Sequence, residues 1–130
     1  MKEQILVIGT GALSTLFAAR LSEAGYHVSM LGTWKDGIQA LNQNGARVSE
    51  PDGKERAFQV RATDDPGEVC NVKHAIVLVK SWQTKRVAEK LKGILAPDGM
   101  ALTLQNGLGN RETLARDLGA GRVALGITTT

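Results

Sequence analysis

The sequence has 130 residues, the size of one ordinary domain, and its 42% hydrophobic and 22% charged positions exclude a disordered chain. Sixteen basic residues against 13 acidic ones leave a formal charge of +3, with the two signs interleaved instead of gathered into a basic stripe. Only five aromatics occur, all dispersed, so a base-stacking nucleic-acid surface is excluded, and no apolar run nears the roughly 20 residues that span a bilayer.

Gln4–Ile8 is a short continuous apolar run, the pattern of a strand buried on both faces. Leu13, Leu16, Phe17, Leu21 and Ala24 then recur at three- and four-residue spacing, a helix that Gly25 stops. His27–Leu31 reads as a second strand. Residues 36–43 read as a helix with Ile38 and Leu41 inward, closed by Asn44-Gly45. Residues 46–49 and 57–61 flank Glu50-Pro51-Asp52-Gly53, whose turn chemistry predicts a small hairpin or meander. Residues 74–79 form the strongest strand signal. Ser81 is placed to cap the next helix, where Val87, Leu91 and Leu95 face inward before Pro97-Asp98-Gly99 turns the chain. Residues 100–104 read as a buried strand, Asn110–Leu118 as a short helix and 123–129 as a last strand. Strands alternating with helices predict right-handed crossovers and a doubly wound, mainly parallel, Rossmann-like α/β sheet in a single domain.

Fifteen glycines, about one residue in nine, exceed the typical share of about 7%. The most informative lie in Gly9-Thr10-Gly11-Ala12-Leu13-Ser14, where the first strand ends and the first helix begins. That strand–turn–helix context is what the dinucleotide fingerprint requires, although the same glycines would also serve a plain turn. Gly9 permits the tight turn, and Gly11 lets backbone N–H groups approach a pyrophosphate at the helix N-terminus. Ser14 stands where Gly or Ala is usual, and its hydroxyl is within reach of a phosphate oxygen.

After the second strand an NAD site would place an acid on the adenosine ribose. Here Leu31-Gly32-Thr33-Trp34-Lys35 carries none, which removes repulsion from a 2′-phosphate and leaves Lys35 to attract it or simply to be solvated. NADP is favoured over NAD. FAD and S-adenosylmethionine, which want the same acid, are disfavoured. Two more strand ends carry polar groups on the edge where such sheets bind ligands. Lys80 is placed to meet the nicotinamide end or a substrate carboxylate, and Asn106 to meet a ribose, a carboxamide or a substrate hydroxyl. As alternatives, Lys80 is a surface lysine and Asn106-Gly107 a β-turn.

Other positions point elsewhere. The single cysteine, Cys70, rules out an internal disulfide, fits a reducing cytoplasmic compartment, and reads as a small buried hydrophobe. His27 and His74 sit at strand starts and read as structural. No metal-ligand spacing, nucleophile elbow or signal-peptide core is present.

Four segments together resemble the N-terminal domain of the ketopantoate reductase (2-dehydropantoate 2-reductase) family. They are Ile8-Gly9-Thr10-Gly11-Ala12-Leu13, Val79-Lys80-Ser81-Trp82-Gln83-Thr84, Gln105-Asn106-Gly107-Leu108-Gly109-Asn110 and Gly126-Ile127-Thr128-Thr129, in the family's order. The resemblance implies an oxidoreductase that reduces the 2-keto acid ketopantoate to pantoate with NADPH, for pantothenate and coenzyme A synthesis. It implies that Gly9, Gly11, Ala12, Leu13 and Ser14 hold the pyrophosphate. Lys80 and Asn106 would lie near the nicotinamide and the substrate, with Gln83 in a second tier of the pocket. Thr33 stands where the family has an arginine on the 2′-phosphate, which relaxes the preference for NADPH, and Ser14 stands for its usual glycine.

The family's proton-donating lysine and a substrate-binding glutamate belong to a helical C-terminal domain. Residues 1–130 are therefore expected to be the dinucleotide-binding domain of a longer protein, inactive alone, with a homodimer through the second domain left open. The rival expectation is a non-catalytic NAD(P)-sensing module. A downstream helical domain with an inward lysine favours the enzyme; a DNA-binding or membrane domain favours the sensor.

Overall fold

The computed structural model describes residues 4–80, 83–104 and 109–126. Its elements run β1 (Gln4–Ile8), α1 (Ala12–Glu23), β2 (His27–Leu31), α2 (Lys35–Asn44), β3 (Ala46–Ser49), β4 (Glu55–Phe58), β5 (Arg61–Thr63), β6 (Val72–Val77), α3 (Thr84–Ile94), β7 (Leu95–Thr103), α4 (Asn110–Leu118) and β8 (Val123–Leu125). Six strands form one sheet in the order β5-β2-β1-β6-β7-β8, and every pair in it is parallel. This is the doubly wound arrangement, with the chain reversing direction across the sheet on either side of β1.

The apolar run of β1 has no solvent side because both faces are covered. Leu6 and Ile8 join the cluster built with Val87, Leu91, Leu114 and Leu118 of α3 and α4. Val7 turns to the other face, with Ala18 and Ala19 of α1, Leu41 of α2 and the hairpin residues Ala46 and Val48. Two consecutive alanines, both fully buried, bring α1 close to the sheet. Gly25, at φ +103, ends that helix. The N–H of Gly25 donates to the Ser22 carbonyl at 3.0 Å and that of Tyr26 to the Leu21 carbonyl at 3.1 Å, closing a Schellman motif.

Three expectations change. The second arm of the predicted hairpin divides in two: β4 pairs antiparallel with β3, whereas β5 leaves it to become the edge of the main sheet beside β2. Asn42 of α2 holds that outer edge, its amide donating to the Ala62 carbonyl and accepting from the Ala62 N–H, both at 2.8 Å. Pro97-Asp98-Gly99 does not break the chain before the next strand. Leu95 lies opposite Val72 and Met100 opposite His74, so residues 96–99 are absorbed as a bulge within β7. Arg122 fastens this bulge, donating to the Ala96 carbonyl at 2.7 Å and the Gly99 carbonyl at 3.1 Å. Cys70, expected inside, is exposed, because Val69 takes the buried position after the turn at Pro66–Glu68. Ser81 as a helix cap lies outside the described residues, as does the last strand beyond Gly126. No helix among the described residues is long and apolar enough to cross a membrane.

Candidate functional site

Parallel pairing brings the carboxyl ends of β1, β2 and β6 to one edge of the sheet, where α1 and α3 start. A cleft of about 260 Å³ opens there, and its walls come from three strand ends and one face of α3. Gly9 forms the turn at its base, at φ +128, a conformation that L side chains rarely adopt. Its N–H donates to the Leu31 carbonyl at 2.8 Å, locking the end of β1 to the end of β2. A Cβ at Gly9 would lie 2.5 Å from the Ser14 Oγ. Ser14 is thus the close-packing position of the fingerprint, buried under the turn.

Gly11 differs. It is the N-cap of α1, makes no side-chain cap, and no acid occupies the first turn. A Cβ placed on it would meet nothing within 4 Å. The contacts of the described residues therefore do not require glycine there, and the space in front of the helix N-terminus stays open. The uncapped N–H groups of α1 and the positive end of its dipole suit an anion.

At the end of β2, the Thr10 side chain fills the space beside Gly32, where a Cβ would lie 2.5 Å from the threonine methyl. Thr33 and Trp34 continue this wall. Trp34 is 62% exposed, and its ring lies over Gly37 of α2. Lys35 turns the other way, onto a shallow depression shared with Ile38, Asn42 and Thr63, so it is not part of the cleft.

At the end of β6, Lys80 is exposed beside the cleft. Its backbone N–H donates to Gln83 Oε1 at 3.1 Å, and the Gln83 N–H donates to the Lys80 carbonyl at 2.8 Å. Gln83 thereby fixes the turn that presents Lys80. The cleft-facing side of α3 adds Arg86, Val87 and Lys90.

Of the residues expected from sequence, the structure brings Gly9, Gly11, Thr33, Lys80 and Gln83 into this cleft. Ala12, Leu13 and Ser14 do not line it, and Asn106 lies outside the described residues. Sequence reading missed Arg86 and Lys90. The available signal was their i, i+4 spacing, one step from the inward Val87. Among the described residues that line it, none is a carboxylate. No group of His, Cys, Asp or Glu among the described residues could hold a metal ion.

The family model of ketopantoate reductase PanE/ApbA matches residues 5–130. The chain belongs to that family. A 2-dehydropantoate 2-reductase from Halobacterium salinarum is 35% identical over 126 residues, which is 97% of this chain and 41% of that protein. Among solved structures, 2-dehydropantoate 2-reductase from Geobacter metallireducens GS-15 superposes with a TM-score of 0.86 at 31% identity, covering 97% of this chain and 41% of that one. The ternary structure of D-mandelate dehydrogenase with NADH and anilino(oxo)acetate shares the fold, with a TM-score of 0.85 at 21% identity over 95% of this chain and 40% of that one. The chain thus spans about two fifths of the length of the ketopantoate reductases it matches. It matches the N-terminal domain of the family, and its doubly wound sheet is the fold shared with those structures.

Proposed function

We propose that this chain is the cofactor-binding domain of an NADP-dependent oxidoreductase that reduces 2-dehydropantoate to pantoate. The observation that carries the reading is the cleft itself. In a member of the ketopantoate reductase family, the Gly9–Gly11 turn, which ends at the N-cap of α1, and the exposed Lys80 share one cavity.

The residues fit the cofactor: Gly11 leaves open space above the helix N-terminus, and none of the described residues lining the cleft is a carboxylate that would repel phosphate. The α1 N–H groups bind the pyrophosphate. Lys80, presented by the Gln83 turn, places a cation where the nicotinamide ribose or the substrate carboxylate arrives, and a cation near the developing alkoxide favours hydride addition. NADPH, when bound, supplies the hydride for the keto carbon. The proton for the resulting oxygen comes from outside this domain, so residues 1–130 bind and orient without turning over.

Titration calorimetry of the full-length protein with NADPH, NADH and S-adenosylmethionine tests the cofactor, and NADPH oxidation with 2-dehydropantoate tests the substrate. Binding of NADPH with turnover is expected. Failure of both dinucleotides to bind at millimolar concentration overturns the reading. Binding without turnover of any 2-keto acid favours a sensing module.

A further inference from the structure

The end of β2 poses a problem for an NADP site. Thr33 carries no charge, and Lys35 lines a separate depression on the outer side of α2. A 2′-phosphate monoester carries close to two negative charges at neutral pH and needs compensating donors. None comes from the wall where such a group is usually met.

The opposite wall supplies them. Gln83 at the N-cap and Arg86, Val87 and Lys90 of α3 follow one another at i, i+3, i+4 and i+7 and line the cleft along one side. Arg20, Arg47, Arg56 and Arg61 are engaged by carboxylates. Among the described residues, no ion pair engages Arg86 or Lys90 and no acid lines the cleft beside them. Facing the cleft from the other side is the exposed indole of Trp34, held over Gly37. One wall therefore offers a flat aromatic surface suited to a purine, and the other two uncommitted cations one helical turn apart. Arginine adds the planar donor fork that matches phosphate oxygens, and lysine a compact charge.

We propose that Arg86 and Lys90 of α3 hold the 2′-phosphate of NADP, with Trp34 as the platform for its adenine, and so set the choice between NADPH and NADH. This rests on the cofactor reading above. It relocates the specificity determinant from the β2–α2 connection to the helix after β6. Thr33 then leaves the preference for the phosphorylated cofactor intact.

The test is the dissociation constants of NADPH and NADH for the full-length protein and for the Arg86→Ala/Lys90→Ala double variant. Competition by 2′,5′-ADP against 5′-ADP is measured beside them. Both side chains reach solvent, and an unchanged far-UV spectrum and melting midpoint establish that the variant is folded. The wild type is expected to prefer NADPH. The double variant should weaken NADPH at least about tenfold while NADH moves less than about twofold. 2′,5′-ADP should lose affinity and 5′-ADP keep it, and Arg86→Lys/Lys90→Arg should restore most of the preference. Equal loss of both cofactors would place the pair on the pyrophosphate and overturn the proposal. Equal affinity of the wild type for both cofactors overturns it too, yet leaves the dinucleotide reading standing. Binding of neither cofactor by the wild type removes both.

Discussion

The hydroxyl of Thr84 donates a 2.9 Å hydrogen bond to the side-chain oxygen of Asn110, between two buried residues 26 positions apart. Thr84 opens α3 and Asn110 opens α4, so the bond ties together the starts of two helices. Each start follows a connection that carries a site residue expected from sequence, Lys80 in one and Asn106 in the other. Replacing Thr84 by the isosteric valine removes the donor from a buried oxygen. A loss of about 1–3 kcal/mol is expected in denaturant unfolding. A double-mutant cycle with Asn110→Ala should show coupling, whereas additive effects would mean the bond does not bind the helices together.

Gly9 stands under two constraints at once. Its φ of +128 disfavours any side chain, and a Cβ would lie 2.5 Å from Ser14 Oγ and 3.4 Å from the Leu78 carbonyl oxygen. Gly9→Ala is expected to cost about 1–3 kcal/mol of stability from the backbone alone and to weaken dinucleotide binding sharply. Ser14→Ala in the same chain removes the oxygen clash but leaves the backbone strain. Partial recovery of the melting midpoint is the expected result, and full recovery would show that the clash dominates.

The hairpin is fastened to α1 electrostatically. Arg20 donates to both carboxylate oxygens of Glu50, at 2.9 and 3.4 Å. That hydrogen bonding holds the Glu50 carboxyl below its ordinary value of 4.5, against an opposing contribution from desolvation. A lowered pKa in the folded state stabilises above the ordinary carboxylate range, and the contribution disappears as pH falls through the folded value. Glu50→Gln should therefore melt below the wild type at pH 7. The gap should narrow with added salt and close as the pH falls below 4.5 and through the folded value. A gap that persists in acid would assign the loss to packing.

Asn42 imitates a neighbouring strand with its two 2.8 Å bonds to the backbone of Ala62. Asn42→Ala leaves the outer edge of β5 open to water and to other chains. A loss of about 1–2 kcal/mol is expected, with concentration-dependent association in light scattering. A variant as monodisperse as the wild type would show that the three-residue strand is too short to recruit a partner.

Much of the fold was legible because it is written in local periodicity. The continuous apolar run of β1, the three- and four-residue spacing of α1 and the limits of α4 each follow from which faces are covered. What escaped depended on partners distant in sequence. Nothing between Phe58 and Arg61 announces that the chain exchanges β3 for β2 as its neighbour; the inward Ala62 and the reach of Asn42 decide it. Pro97-Asp98-Gly99 has turn chemistry, but pairing with β6 on either side and the grip of Arg122 convert it into a bulge. In the candidate site, the glycines were legible because a backbone requirement shows directly in residue type. The cations of α3 were not, since whether a lysine faces a cleft or open solvent depends on where the sheet edge lies. Lys35 and Lys90 look alike in sequence and sit on different surfaces.

The central position of β1 also dictates an order of events during synthesis. β2 can pair with it almost at once, but its other edge, where Ile5 meets His74, waits for β6. At about 5–20 residues per second, that hydrophobic edge stands unpaired on the nascent chain for roughly 3–14 s. Until its second neighbour emerges, the first strand offers an unpaired edge to other chains, and slower translation after β2 lengthens that exposure.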